Sequence, residues 1–513
     1  MNEETDLPAA VDIAVVGGGF SGVGTAIKLR SMGIEDFVVL DRGADVGGTW
    51  RDNTYPGAAC DVPSHLYSFS FAPNPDWSRA YSPQPEIWSY MQTVVERFGV
   101  GGHFRYRQDV VEARLDQTDE RWHVRTATGS LTARILIWAT GSLSEPRVPD
   151  LPGLGDFTGR VFHSAAWDHG ADLRGERVAV VGTGASAIQF VPQIQPTVAK
   201  LYLHQRTPPW VIPRNDRDIG RVRRWLFRHL PITQKAARLR IYLRLEYLMG
   251  PVVLGTSVRK RELLRRFARG HLFGQITDPA LREALTPDYE IGCKRVLISD
   301  DYYPSLTRPN VELVTAAVGG FTSDGVVDEH GRERKVDTVI LGTGFQAAEP
   351  SFARRIVGPG GVRLSETWRD GMEAYLGSTV PGYPNLFMLV GPNTTLGHNS
   401  MIYMIESQLN YVVDAIGFLA RPGVGTVDVR PAVLHRYNKV LQDEMGPTMW
   451  VTGGCTSWYL DHRGVNTTLW PSHTRKFRRL TRRFHPADYT VRPPGGLAEP
   501  APVGGRERAA PGT

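Results

Sequence analysis

The chain has very little cysteine. Among its 513 residues only Cys60, Cys293 and Cys455 occur, and no two form a CxxC pair. That spacing excludes a local redox dithiol and a zinc ribbon, so no metal site is expected. It also argues against the disulfide framework of a small secreted domain, and a reducing cytoplasm is the expected setting. No apolar run is long enough to span a bilayer. Residues 1–10 lack the basic region and apolar core of an export signal. Neither sign of charge dominates: 59 Lys and Arg face 53 Asp and Glu, a formal net charge of +6. Much of the basic excess lies in 221–269, where Arg221, Arg223, Arg224, Arg228, Lys235, Arg238, Arg240 and Arg244 interleave with Trp225, Phe227, Leu239 and Tyr242. They belong to no nucleic-acid recognition module, which excludes nucleic acid as a partner. A basic, aromatic-bearing helix of this kind can make peripheral contact with a membrane. The simpler reading is a helical insertion with one packed and one solvated face.

Glycine, by contrast, is plentiful, with 54 residues. Two clusters carry the main information. The first is Gly17-Gly18-Gly19-Phe20-Ser21-Gly22, with Asp41 following Gly17 by 24 positions. The second is Gly182-Thr183-Gly184-Ala185-Ser186-Ala187, with Arg206 following Gly182 by 24 positions. Each follows a strand-like apolar run, Val11-Asp12-Ile13-Ala14-Val15-Val16 and Arg177-Val178-Ala179-Val180-Val181, and each opens a helix-compatible segment. In that context the glycines permit a tight turn, and the helix N-terminus faces a pyrophosphate. At the later position a carboxylate accepts hydrogen bonds from a ribose diol, and a guanidinium holds a 2′-phosphate. FAD at the first loop and NADPH at the second fit that pair.

The predicted architecture is α/β, with two Rossmann-like dinucleotide-binding domains and a helical insertion in the second. Residues 1–144 form the first part of the FAD domain. Residues 145–375 form the NADP domain, with the insertion near 215–290. Residues 376–490 return to the FAD domain through the strand pattern Asn385-Leu386-Phe387-Met388-Leu389-Val390-Gly391 and a helix over 400–419. The start of that helix is expected to place backbone dipoles near the flavin. Residues 491–513 are rich in Pro, Gly and Ala and read as a disordered tail.

Before the second loop stands Phe157-Thr158-Gly159-Arg160-Val161-Phe162-His163-Ser164-Ala165-Ala166-Trp167-Asp168. Here the chain resembles the type I Baeyer–Villiger monooxygenases, whose fingerprint FxGxxxHxxxW followed by Pro or Asp is met at every fixed position. A second family motif is met by Gly48-Thr49-Trp50, Tyr55-Pro56-Gly57 and Asp61. The resemblance runs from about residue 10 to 485. It implies that NADPH reduces FAD and that dioxygen adds at the flavin C4a position. The resulting peroxide, kept anionic, attacks a ketone, and carbon migration then gives an ester or lactone. Such an anion needs a fixed cation in a site poor in water, a role that suits arginine.

The resemblance also assigns residues. Arg295, in Gly292-Cys293-Lys294-Arg295, matches the family's active-site arginine, and Asp61 matches the carboxylate that orients it. Arg42, Gly48, Thr49, Trp50, Tyr67 and Val110 join Gly17, Gly19, Phe20, Ser21, Gly22 and Asp41 around FAD. Gln189 joins Gly182, Thr183, Gly184, Ala185 and Ser186 around NADPH. Arg206, Thr207 and Lys294 form the 2′-phosphate clamp. Trp458 matches a mobile-loop tryptophan that contacts the nicotinamide ribose. His163 is a general-base candidate by residue type, while the family's behaviour assigns it to coupling between domains and makes Trp167 a packing residue.

Related N- and S-oxygenating flavoproteins share a similar fingerprint, usually with Tyr or Phe at the position of Trp167. Trp167-Asp168 and Arg295 favour ketone oxygenation. A non-catalytic flavin-binding interaction protein would leave the second loop, Arg206 and Arg295 without a purpose. A pyridine-nucleotide disulfide reductase is disfavoured because there is no adjacent cysteine pair. Cyclic, aryl, long aliphatic and steroid-like ketones all stay open as substrates, and no oligomeric state is indicated.

Overall fold

The computed structural model describes residues 6–496. Its first sheet grows from Ala10–Val16, a strand with almost no polar interruption. Both its faces are covered, as expected for a strand in the middle of a parallel sheet. Phe37–Leu40 and Ser130–Trp138 pair with it in parallel on either side. Leu386–Met388 joins the far half of Ser130–Trp138, also in parallel. Trp122–Thr126 and Val110–Leu115 extend the sheet as an antiparallel ribbon. Helix Phe20–Ser31 covers one face and packs on helix Met401–Leu419. Gly24 allows that approach, since a Cβ there would lie 2.7 Å from Leu409 Cδ1.

The second sheet contains five parallel strands in the order Val311–Val314, Lys200–His204, Arg177–Val181, Thr338–Leu341 and Arg160–His163. Between Val211–Ile212 and Leu297–Ile298 lies the helical insertion: Arg221–His229, Pro231–Arg244, a π-turn at Leu245–Met249, then Gly250–Val253, Val258–Gln275 and Pro279–Ala284. The two short strands pair in parallel and so close the neck of the insertion. No helix among the described residues is long and apolar enough to cross a membrane.

Two boundaries differ from expectation. Strand Ile356–Val357 already pairs with Val110–Leu115 in the first sheet, so the chain re-enters that unit ahead of residue 376. Phe352, Leu364 and Trp368 anchor this segment against Trp138 and its neighbours. These aromatic and aliphatic anchors are scattered without a helix or strand period. The expected tail also starts late. Tyr489–Arg492 is a strand paired with Thr426–Val429, held by the buried Tyr489 against Tyr411 and Phe484. The remainder of the expected tail, from 497 on, lies outside the described residues.

Candidate active site

In the first loop Gly17 has φ +109, and a Cβ there would stand 2.7 Å from the Ala139 carbonyl oxygen. A Cβ on Gly22 would overlap the Gly17 carbonyl oxygen. Only glycine tolerates both restraints. Helix Phe20–Ser31 begins at Gly19 with no side-chain cap and no acidic residue in its first turn. Its free N–H groups therefore point outward as an anion site. Asp41 is buried and accepts from Gly18 N–H at 2.6 Å and Gly43 N–H at 2.7 Å, and it pairs with Arg51. Arg42 turns to the Ser144 carbonyl at 2.7 Å.

A cleft of about 210 Å³, partly open to solvent, begins at this loop. Gly17, Gly19, Phe20, Ser21, Asp41 and Arg42 line one end, and Gly48, Thr49, Trp50, Tyr67 and Val110 line its walls. Trp50 donates its indole N–H to the Tyr67 hydroxyl at 3.0 Å. At the far end stand Val390, Met401 and Ile405. Val390 is a β-branched residue at φ +60, a strained conformation. Gln408 holds it there, with Oε1 accepting from Val390 N–H at 2.8 Å and Nε2 donating to the Gly377 carbonyl at 3.0 Å. The helix N-terminus at Met401 has no acidic residue in its first turn. The glycine cradle, the buried acceptor and the uncapped helix ends together fit an adenine dinucleotide carrying a large flat ring.

The second loop repeats the turn. Gly182 also has φ +109, and a Cβ there would lie 2.5 Å from the Gly342 carbonyl oxygen. Gly184 and Ala185 lead to Ser186, where helix Ala187–Ile194 starts with no side-chain cap. Thr183 donates to the Thr207 carbonyl at 3.3 Å, which ties the loop to the clamp. Arg206 is exposed, and no carboxylate among the described residues forms an ion pair with it. Lys294 lies over the Tyr289 ring at 4.8 Å. Burial pushes its pKa down, and the nearby Arg206 guanidinium adds to the effect. Asp288 opposes this shift in part. Two neighbouring cations, neither ion-paired with a carboxylate among the described residues, make a natural phosphate site.

Gln189 bridges the two units. Its Oε1 accepts from the Tyr55 hydroxyl at 3.0 Å and the Ala59 N–H at 3.3 Å, and its Nε2 donates to the Ala59 carbonyl at 3.0 Å. It thereby pins the second unit to the loop that carries Asp61. A Cβ on Gly57 would lie 2.8 Å from the Gln189 carbonyl oxygen, so the two segments meet backbone to backbone.

Asp61 and Arg295 come together across that contact. Arg295 Nε donates to Asp61 Oδ2 at 2.6 Å, and Nη2 donates to Oδ1 at 2.8 Å. Arg295 Nη1 donates to the Leu396 carbonyl at 3.2 Å. The side chains are 30% and 28% exposed, so the pair is sheltered yet reachable. Burial alone would push the Asp61 carboxyl up, but the charge and hydrogen bonds of Arg295 reverse this and hold it low. Burial likewise opposes the Arg295 charge, and Asp61 overcomes that, raising its pKa. Tyr67, in the cleft wall, is pushed up chiefly by burial, is raised further by Cys60 and Asp61, and is opposed by Arg295. The pair is thus electrostatically coupled to the cleft.

His163 ends strand Arg160–His163. Its Nδ1 accepts from the Ala165 N–H at 3.0 Å, its ring meets Phe345 edge-on, and burial lowers its pKa. Its neighbours are thus Ala165 and Phe345 rather than Asp61 or Arg295. Trp167 packs on Phe162 and Phe190. Trp458 is exposed beside the buried Tyr459.

Several features were missed from sequence. Tyr459 is pushed up to about 12 by burial, against the nearby Arg295 charge, which lowers it. Arg214, lying over the Tyr81 ring, adds a second positive charge near Asp61. A long-range cysteine pair is a further feature that the local spacing did not show. Cys293 and Cys455 form a disulfide across 162 residues, tethering the Trp458 loop to the segment of Lys294 and Arg295. Only Cys60 is free, buried beside Asp61. A pairing so distant in sequence leaves no local spacing to read.

Fold and site define an oxidoreductase that works with a flavin and a nicotinamide nucleotide. Residues 14–244 match the family model described as pyridine nucleotide-disulphide oxidoreductase. A Baeyer-Villiger monooxygenase of Streptomyces coelicolor is 49% identical over 509 residues, covering 99% of this chain and 96% of the relative. A cyclohexanone monooxygenase from Rhodococcus sp. Phi1 bound to NADP+ superposes with a TM-score of 0.84 at 27% identity, covering 95% of this chain and all of that one. OTEMO in complex with FAD and NADP gives the same TM-score, identity and coverage. The chain belongs to the Baeyer–Villiger monooxygenases.

Proposed function

We propose that this chain uses FAD, NADPH and dioxygen to insert an oxygen atom next to a ketone carbonyl, giving an ester or lactone. The observation that carries the reading is the two-point Asp61–Arg295 pair, set where the two nucleotide units meet. Reduced FAD, when bound, supplies activated dioxygen. Arg295 remains charged at any working pH. Of its five N–H donors, two go to Asp61 and one to the Leu396 carbonyl. The remaining two are free to face negative charge on oxygen. Donors fixed in advance in this way are worth about 3–4 kcal/mol to a developing oxyanion. Asp61 fixes the plane of the guanidinium so that no reorganisation is needed during the reaction.

The second unit receives the reductant. Helix Ala187–Ile194 faces the pyrophosphate, and Arg206, Thr207 and Lys294 hold the 2′-phosphate. Trp458, on the tethered loop, covers the nicotinamide side and helps to exclude water. Gln189 acts as a positioning residue that seats one unit on the other, and His163 orders the turn ahead of the second unit.

The test uses the purified holoenzyme. Mixed with NADPH without air, its visible flavin band should bleach, and admission of air should restore it. With heavy-isotope dioxygen and a panel of cyclic, aryl and aliphatic ketones, mass spectrometry should find one labelled oxygen in an ester or lactone. Bleaching and recovery with hydrogen peroxide as the sole product across the panel would overturn the proposal.

A further inference from the structure

Helix Pro231–Arg244 and the π-turn after it turn an unusually polar row inward, beside Ile241 and Leu245, which pack on the first core. Gln234 donates to the Asn74 carbonyl at 2.6 Å, and Arg238 Nη1 donates to the His65 and Ser68 carbonyls at 3.0 and 2.9 Å. Tyr242 stacks on Tyr403 and meets the Thr474 hydroxyl. Glu246 is fully buried, bonded to Asn399 and Thr474. Residues 234, 238, 242 and 246 form one row at four-residue spacing, and this row faces the body of the protein. The opposite row, Ile232, Leu239, Leu243 and Tyr247, faces out, with Ile232 71% exposed. A surface helix ordinarily does the reverse.

The neighbouring helices bury apolar residues, among them Phe227, Leu264 and Leu272, yet they also carry apolar side chains outward. In Arg221–His229, Val222 (74% exposed) and Trp225 point out while Phe227 is buried. In Val258–Gln275, Val258, Leu263 and Phe267 point out. Lys260 donates to the Tyr247 carbonyl at 2.6 Å, joining the end of one stripe to the start of the next. Among the described residues, twelve of the 21 exposed large hydrophobic ones fall within 221–275. Single exposed apolar residues are ordinary, but a concentration of this kind marks an interaction surface.

Charge identifies the partner. Residues 221–275 hold fourteen Arg and Lys and only two Glu, Glu246 and Glu262. Glu246 is buried, and Glu262 is neutralised by Arg265 and Arg266. The segment therefore carries +12 in a chain of net +6, and everything outside it is net negative. An open groove of about 530 Å³ is lined by Arg221, Val222, Arg224 and Trp225 together with the Asp76–Arg228 ion pair, and Arg221 and Arg224 add a place for an anionic headgroup.

We infer that this face seats the enzyme on an anionic bilayer surface. Ile232, Leu239 and Leu243 enter the boundary between headgroups and acyl chains, and the surrounding Arg and Lys meet lipid phosphates. A second copy of the chain is a poor occupant, because a two-fold contact would set +12 against +12. Nucleic acid would leave the apolar stripe facing water.

The experiment sediments the FAD-loaded full chain with vesicles of phosphatidylcholine alone or mixed with phosphatidylglycerol. Recovery should be roughly tenfold or more higher with the anionic vesicles and should fall steeply with salt. The double variant Leu239→Asp, Leu243→Asp should lose roughly tenfold in vesicle binding. Its flavin content and NADPH oxidation in solution should be unchanged, since both side chains face away from the body. Arg221→Gln with Arg224→Gln should weaken binding and flatten its salt dependence. Equal recovery on neutral and anionic vesicles would overturn the inference. So would binding indifferent to the Leu239 and Leu243 changes, or a wild-type dimer that those changes dissociate while vesicle binding is absent.

Discussion

Gly17 and Gly182 make the same turn, with the same φ of +109 and the same close approach to a carbonyl oxygen of a neighbouring segment. Twenty-four residues further on, the two units diverge. Asp41 is buried and already bonded to Gly18, Gly43 and Arg51. Arg206 stands in solvent, and its nearest functional neighbour is another cation, Lys294. The first unit thus has a ribose acceptor fixed in place before any ligand arrives. The second has an electrostatic vacancy that an incoming phosphate fills. One arrangement suits a nucleotide retained through many turnovers, and the other suits one exchanged at each.

The largest expected effect lies where the two units meet. Arg295→Ala should lower ester or lactone formation by about a thousandfold or more. NADPH oxidation should persist, with hydrogen peroxide as its product, as read by product analysis beside a peroxide assay. Survival of the oxygenated product would detach the chemistry from this contact. Asp41→Ala comes next. It leaves the Gly18 N–H and Arg51 without their partner, at a cost of about 2–3 kcal/mol. FAD should bind roughly a hundredfold more weakly, and the protein should purify with a low flavin-to-protein ratio and a reduced Tm. A fully flavinated variant would mean that Asp41 does not act as the ribose acceptor.

Arg206→Ala should raise the KM for NADPH by about ten- to a hundredfold and leave that for NADH within about twofold. Equal changes in both would erase the contrast between the units. The smallest effect is a pH dependence. Burial and Arg206 hold Lys294 below the usual lysine range. Its charged form binds phosphate, so the preference for NADPH is greatest below the lowered pKa and weakens as pH rises through it. The KM ratio of the two nucleotides measured over the alkaline range should show a fall of a few fold, and Lys294→Arg should abolish it.

The sequence made the two units legible because their information is local. A strand, a glycine turn and a residue at a fixed offset all lie within one βαβ segment. The Asp61–Arg295 meeting followed from family motifs and not from spacing, since 234 residues separate the two. Three features were hidden for distinct reasons. The Cys293–Cys455 bond joins two loops that nothing local relates. The early return at Ile356–Val357 rests on scattered aromatic anchors with no period. The helix Pro231–Arg244 was read correctly as two-faced, but periodicity tells only that two faces exist. Gln234 and Arg238 turned inward because backbone carbonyls of the first unit await them.

Asp61 belongs to the first unit and Arg295 to the second, and this sets a rule for motion. If the lobes parted, each charge would stand half-sheltered and alone, and so would the Tyr55 and Ala59 groups that Gln189 now satisfies. Separation is therefore uphill from its first ångström, and release restores alignment without any outside trigger. The pair behaves as a self-centring latch that holds the two units in register.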